Sequence, residues 1–347
     1  MSNFAIGVGF DDAVKTILHA WVAPLVCCSG WVMAKPSVPS SYDPMKIPDS
    51  VIESITLEVK DSVRNRILPL RVYLPKGDKP APVVLFSHGL GGSCDNNPYL
   101  GNHWAARGYV VVFIQHPGSD EKVWMEAAAL RRMAAMKQAA SFDNFLLRAE
   151  DVPAVLDHLA KFNLAEKHEL KGRMDLEHIG MSGHSFGANT TQCVSGQAFA
   201  GARVSFLEPR IDASLMMSPS APAIGNPSDA FATIRIPCLL MTGTRDDSPI
   251  GNSTPADRLK VFPHLTRAPA WQVVFDGATH MDFGQRSLGG KVKSGTRYHR
   301  AILALSTAFW DSKLKGDASA EAWLMGDGAK SVLDSKDVWQ MNQKAGK

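Results

Sequence analysis

The residues best placed to do chemistry lie in Gly183-His184-Ser185-Phe186-Gly187. This is a serine with a glycine two positions away on each side. A serine hydroxyl is a weak nucleophile and needs three things: a sharp turn that projects it, a base within reach, and a pocket for the oxyanion that its attack creates. A turn that sharp crowds the Cβ atoms two residues either side, and glycine removes them. The pentapeptide alone is a weak signal, because glycine and serine are common. Its context strengthens it. Asp175–Ser182 reads as a short buried strand, and Ala188–Val194 can begin a helix. Strand, turn, helix is the setting such a nucleophile requires. Ser182 lacks a glycine two residues on and belongs to the strand end.

A second glycine-rich stretch, Ser87-His88-Gly89-Leu90-Gly91-Gly92, leaves the apolar run Pro82–Phe86. Small residues there expose backbone N–H groups to a developing negative charge. The N–H of Leu90 and the N–H of Phe186 are the expected oxyanion donors, each supplying roughly 3 kcal/mol of transition-state stabilisation. A phosphate-binding loop is the competing interpretation. No Gly-Lys-Ser/Thr follows, and G-x-G-x-x-G is not matched.

A nucleophilic serine also needs a histidine and an acid to orient it. Asp246 follows the apolar run Ile236–Thr242 and is the expected acid. Asp247 is its rival, while Asp212 begins its strand and falls at the wrong end of a sheet. Of eleven histidines, only His280 follows a strand, Ala270–Phe275, after both serine and acid. His184 is expected to pack at the base of the turn, and His116 to be structural.

These residues require a scaffold of strands and helices in alternation. Ser54–Lys60 and Leu68–Leu74 alternate apolar and polar, as half-buried antiparallel strands do. Pro82–Phe86 and Tyr109–Gln115 are continuous apolar runs suited to buried parallel strands, separated by a helix over Pro98–Arg107. Ile211–Met217 is a further strand. A long helix over Asp143–Phe162, with Leu146, Val152, Val155, Leu156 and Leu159 on one side, feeds the nucleophile strand. Arg148 and Asp151 on it are expected to form surface or loop-anchoring pairs. Residues 119–142 form an Ala- and Met-rich insertion. It is expected to be one helix over the mouth of the site, serving either as an adaptable apolar wall or as plain core packing. The expected class is α/β, a mostly parallel sheet flanked by helices, with the catalytic domain over residues 49–325 and a C-terminal extension over 326–347.

The chain has 347 residues, 45% of them hydrophobic and 20% charged, with a net charge of +3. That suits a globular enzyme with a sizeable core, and no basic run interleaved with aromatics points to nucleic acid. Residues 1–48 differ. Ile17–Ala34 is almost uncharged and is followed by a Pro- and Ser-rich linker. Three interpretations compete: a cleaved export signal, a retained membrane anchor, and an apolar helix packed on the domain. Export would place the protein in the periplasm or outside the cell; otherwise it is cytoplasmic. Membrane contact is expected only if the segment is retained. Of five cysteines, Cys94, Cys193 and Cys238 could make at most one disulfide, and none sits in a metal-ligand spacing; free buried thiols are the expected state.

Over about residues 50–325 the chain resembles the α/β-hydrolases. It is most similar to the branch holding dienelactone-hydrolase-like proteins, platelet-activating-factor acetylhydrolases and cutinase-type polyester hydrolases. The resemblance rests on Phe86–Gly92, Gly183–Gly187, Gly243-Thr-Arg-Asp246, Gly277-Ala-Thr-His280 and the tail Phe309–Leu324. The order Ser185, Asp246, His280 is the order of that superfamily. Two departures matter. Dienelactone hydrolases use a cysteine nucleophile where this chain has Ser185. Platelet-activating-factor acetylhydrolases take their acid from the preceding strand end, which here reads Ser218-Pro219. The resemblance therefore implies a serine carboxylesterase acting on short- to medium-chain or aryl esters, with polyesters included, and needing no metal or cofactor. An acyltransferase or a lipase- or phospholipid-acetylhydrolase-like enzyme on the same triad is the alternative. A non-catalytic binding protein is the third.

Overall fold

A computed structural model describes residues 42–49, 51–199, 204–222, 224–285, 297–342 and 344. All of them belong to the compact unit Pro39–Lys347. The apolar segment Ile17–Ala34 and its alternative roles lie outside the described residues.

In chain order the strands are β1 (Glu53–Asp61), β2 (Arg66–Leu74), β3 (Ala81–Ser87), β4 (Val110–Ile114), β5 (Met174–His184), β6 (Ala198–Phe199), β7 (Val204–Ser205), β8 (Ala213–Met217), β9 (Cys238–Arg245), β10 (Ala270–Thr279) and β11 (Val338–Met341). The α-helices are α1 (Pro98–Ala106), α2 (Lys122–Met125), α3 (Arg132–Ala139), α4 (Phe142–Leu164), α5 (Phe186–Val194), α6 (Pro227–Phe231), α7 (Pro255–Leu259), α8 (Arg297–Leu314), α9 (Ala318–Met325) and α10 (Asp327–Lys330). Nine strands form one sheet in the order β1-β2-β4-β3-β5-β8-β9-β10-β11. From β4 to β10 neighbouring strands run parallel. The edge pairs β1–β2, β2–β4 and β10–β11 are antiparallel.

The apolar runs explain the layering. In β3, Val83 and Leu85 face α4, packing with Val152, Val155, Leu156 and Leu159. Val84 and Phe86 face the other way, packing with Trp104 of α1 and Leu305, Phe309 and Trp310 of α8. Successive strand side chains point to opposite faces, so a strand covered on both faces must be apolar throughout. Edge strand β1 is covered on one face only and keeps the alternation read in its sequence.

The order in which strands are added reverses at β3: β4 lies on one side of it and β5 on the other. In open α/β sheets such a switch point leaves a crevice beyond the carboxyl ends of the two strands. The loop after β3 and the turn after β5 meet there.

The structure adds detail to three elements. The C-terminal extension contributes an edge strand, β11, which pairs with β10 and matches Trp271 to Met341. The insertion is two short helices, α2 and α3, rather than one, with a 3-10 turn over Ala129–Arg131 between them. Plain core packing does not describe it, since Leu130 is fully exposed and Met125 and Met133 are more than half exposed. Arg148 and Asp151 are wholly buried. They anchor loops and form no surface pairs.

Candidate active site

The turn between β5 and α5 holds Ser185 at φ 59° and ψ −117°. An L-residue rarely takes that backbone, and it persists only where surrounding structure over-determines it. The constraints are visible. Ser185 N–H donates to Met217 O at 2.9 Å, and Ser185 O accepts from Asn189 N–H at 3.1 Å. A methyl at Gly183 would overlap the Gly187 carbonyl, and one at Gly187 would overlap the Ser87 carbonyl. Both glycines of the pentapeptide are therefore required by close backbone approach.

His280 comes from the end of β10. A register shift between Phe275 and Thr279 bends the strand end. There a capping box turns the chain into a short 3-10 helix: Asp282 accepts from the N–H and Oγ1 of Thr279 at 2.8 and 2.6 Å. The ring then lies between two partners. Its Nε2 is 2.8 Å from Ser185 Oγ, and its Nδ1 is 2.7 Å from Asp246 Oδ1. Asp246, just past β9, is fully buried, whereas Asp247 is exposed. Asp212 lies at the opposite end of the sheet, where it accepts from Ile179 N–H at 2.8 Å. The structure thus brings Ser185, His280 and Asp246 into one hydrogen-bonded line and leaves Asp247 and Asp212 out of it.

Burial pushes the Asp246 carboxyl up, but the hydrogen bond from His280 and the charge of Arg258 outweigh it, so its pKa falls below the usual carboxylate value. Thr242 Oγ1 donates to its other oxygen at 2.8 Å. His184 stacks on Phe283, and its Nε2 contacts His280 O at 3.1 Å. Burial, then the neighbouring His280, lowers the His184 pKa to about 3. A neutral His184 puts no second positive charge beside His280.

Phe186 follows the serine directly, and the loop that carries Leu90 passes beside it at Gly89. Gly89 lies against Ser185, so close that a methyl on it would meet Ser185 Cβ at 3.4 Å. Among the described residues, no hydrogen bond takes up the N–H of Leu90 or that of Phe186. Gly91 is covered by the insertion: Trp124 Nε1 donates to Gly91 O at 2.8 Å, and Met136 packs on the same glycine.

Sequence reasoning missed Arg258 on α7. It also missed the contacts that make His88, His116 and Arg148 more than packing. A lone arginine in a short surface-like segment carries no signal of its own. Cys94, Cys193 and Cys238 are free and buried, as expected. Among the described residues, no cluster of His, Cys, Asp and Glu could hold a metal ion, and no helix is long and apolar enough to cross a membrane. Compared with known proteins, the chain matches no family model and no curated sequence.

Proposed function

We propose that this protein is a serine carboxylic-ester hydrolase with an α/β-hydrolase fold. One observation carries the proposal: a strained, glycine-flanked Ser185 hydrogen-bonded to His280, which is hydrogen-bonded in turn to a buried Asp246.

Such an arrangement has a defined chemistry. Ser185 Oγ attacks the ester carbonyl carbon as its proton passes to His280 Nε2. Asp246 stays ionised, accepts from Nδ1–H and stabilises the imidazolium. The N–H groups of Leu90 and Phe186 hold the oxyanion of the tetrahedral intermediate. The intermediate collapses, and His280 returns the proton to the departing alcohol. Water then repeats the sequence on the acyl-enzyme and frees the acid and Ser185. Every proton is accounted for by His280.

The surroundings support the substrate class we propose. Trp124 and Met136 wall the loop beside the serine, and the same insertion exposes Met125, Leu130 and Met133. This apolar wall suits short- to medium-chain acyl or aryl esters, polyesters among them.

Hydrolysis of p-nitrophenyl esters from acetate to palmitate, wild type beside Ser185→Ala, tests the proposal. Turnover in the wild type is expected to fall by roughly a millionfold in the folded mutant. Turnover that survives in Ser185→Ala removes the serine from the chemistry.

A further inference from the structure

A second Ser–His–Asp line lies beneath the first. Ser87 Oγ is 2.9 Å from His116 Nε2, and His116 Nδ1 is 2.9 Å from Asp151 Oδ2. Its geometry is close to that of Ser185, His280 and Asp246. Its surroundings differ, because all three residues are wholly buried. No ester reaches Ser87, so this array has another use.

Its connections show what it touches. The His116 backbone N–H donates to His88 Nε2 at 3.1 Å. An accepting Nε2 leaves the neutral His88 ring with its proton on Nδ1, and Nδ1 is 2.7 Å from Gly89 O. Gly89 O also accepts from Gly92 N–H at 3.0 Å. The Gly89–Leu90 peptide is planar and trans, so fixing its carbonyl on one side fixes the Leu90 N–H on the other.

Arg148, one helical turn before Asp151 on α4, joins the array to both halves of the oxyanion site. Its Nη1 donates to His88 O at 2.7 Å and lies 3.4 Å from Ser87 Oγ. Its Nε donates to Ser119 Oγ at 2.7 Å, and Ser119 O accepts from Gly91 N–H at 2.9 Å. Its guanidinium also lies 4.5 Å from the Phe186 ring centre. Asp151 balances the nearby charge and accepts from Arg66 Nε and Nη2, both at 3.0 Å.

We propose that the buried Ser87–His116–Asp151 array, tied to Arg148, is a positioning device that acts through His88 to aim the Leu90 N–H at the oxyanion. The inference rests on the esterase reading and deepens it. These residues never touch substrate. Burial and then the Arg148 charge lower the His116 pKa to about 4, so the ring stays neutral at working pH and keeps the proton arrangement the device needs.

The test uses Ser87→Ala and His116→Phe in the full chain, with active sites titrated by a fluorophosphonate. Two quantities are read per titrated site: p-nitrophenyl acetate kinetics, and inhibition by an aryl trifluoromethyl ketone, whose hemiketal oxyanion occupies the hole. We expect kcat/KM to fall about tenfold in Ser87→Ala and about a hundredfold in His116→Phe, short of or equal to deleting a donor. Ketone affinity should fall by the same factors while KM stays within about twofold, since the loss is confined to the transition state. His116→Gln should regain part of both. Fewer titratable sites or a lower melting temperature, with kcat and ketone affinity per site unchanged, would reduce the array to packing and overturn the proposal. If His116→Phe does not fold, Ser87→Ala, which removes one hydroxyl, decides alone. A folded wild type that neither labels nor turns over ester would overturn the esterase reading itself; an active wild type with unaffected variants overturns only this inference.

Discussion

Arg258 Nε lies 3.3 Å from Asp246 Oδ1 and donates to the Asp246 carbonyl at 3.2 Å. Its fork continues past the acid. Nη1 donates to Ser218 O at 2.9 Å and to Ser220 Oγ, and Nη2 is 3.3 Å from His280 Nδ1. Ser218-Pro219 is the strand end where a carboxylate could have stood. Here its backbone carbonyls hold an arginine that faces a carboxylate arriving from the next strand. The guanidinium faces Asp246 where both side chains are buried.

Replacing Arg258 by Gln leaves the Asp246 carboxylate buried without its cation. Breaking a buried pair from one side costs about 3–5 kcal/mol. Urea unfolding of Arg258→Gln at pH 7.5 should show that loss. Arg258→Lys should recover little, because a point charge cannot reproduce a fork that reaches five residues, Asp246, Ser218, Pro219, Ser220 and His280. A variant as stable as the wild type would contradict the structural account of Arg258.

Asp246 and Asp247 are adjacent in sequence but differ in environment. Asp246→Asn should lower kcat by about ten-thousandfold through loss of the correct His280 tautomer and of imidazolium stabilisation. Asp247→Asn, on the exposed side of the loop, should leave kcat within about twofold, as surface changes away from a site do. Steady-state kinetics on one ester separates the two. The reverse pattern would move the acid to Asp247.

Stability should fall on mild acidification, and the sign follows from buried histidines. Burial first, then neighbouring positive charge, pushes His88 well below its ordinary value, His116 to about 4 and His184 to about 3. The folded protein keeps them neutral while the unfolded chain binds protons below about pH 6.5. Stability is therefore lost as pH drops from about 6.5 toward 4, by roughly 1.4 kcal/mol per pH unit for each histidine. Asp151 and Asp246, both held below the ordinary carboxylate value, withdraw their contribution only at still lower pH, below about 4. Urea midpoints at pH 7.5 and 5.0 test this, and His184→Gln should lessen the slope. Equal midpoints at the two values would contradict it.

The parts legible in the sequence were those whose chemistry is local. Gly183 and Gly187 mark a turn that only small flanking residues permit, and Pro82–Phe86 is apolar because both its faces are covered. Asp246 and His280 could be ranked because each follows a strand that ends at the same edge of the sheet. Arg258 could not, since its partners Asp246, Ser218 and His280 lie 12 to 40 positions away and nothing in Thr254–Lys260 signals burial. The same holds for Asp151, whose helix reads as amphipathic while its carboxylate meets His116 and Arg66 from two other elements. Strand β11 was missed because four half-exposed residues become a strand only by pairing with β10.

The most direct test of the central claim is the covalent mark itself. Wild-type protein, Ser185→Ala and His280→Ala would be incubated with a fluorophosphonate, weighed intact and digested to locate the adduct. One adduct per chain on Ser185 in the wild type is the predicted result, with none on Ser185→Ala and much slower labelling of His280→Ala. An adduct on another residue, or folded wild-type protein left unlabelled, would contradict the assignment of Ser185 as a nucleophile activated by His280.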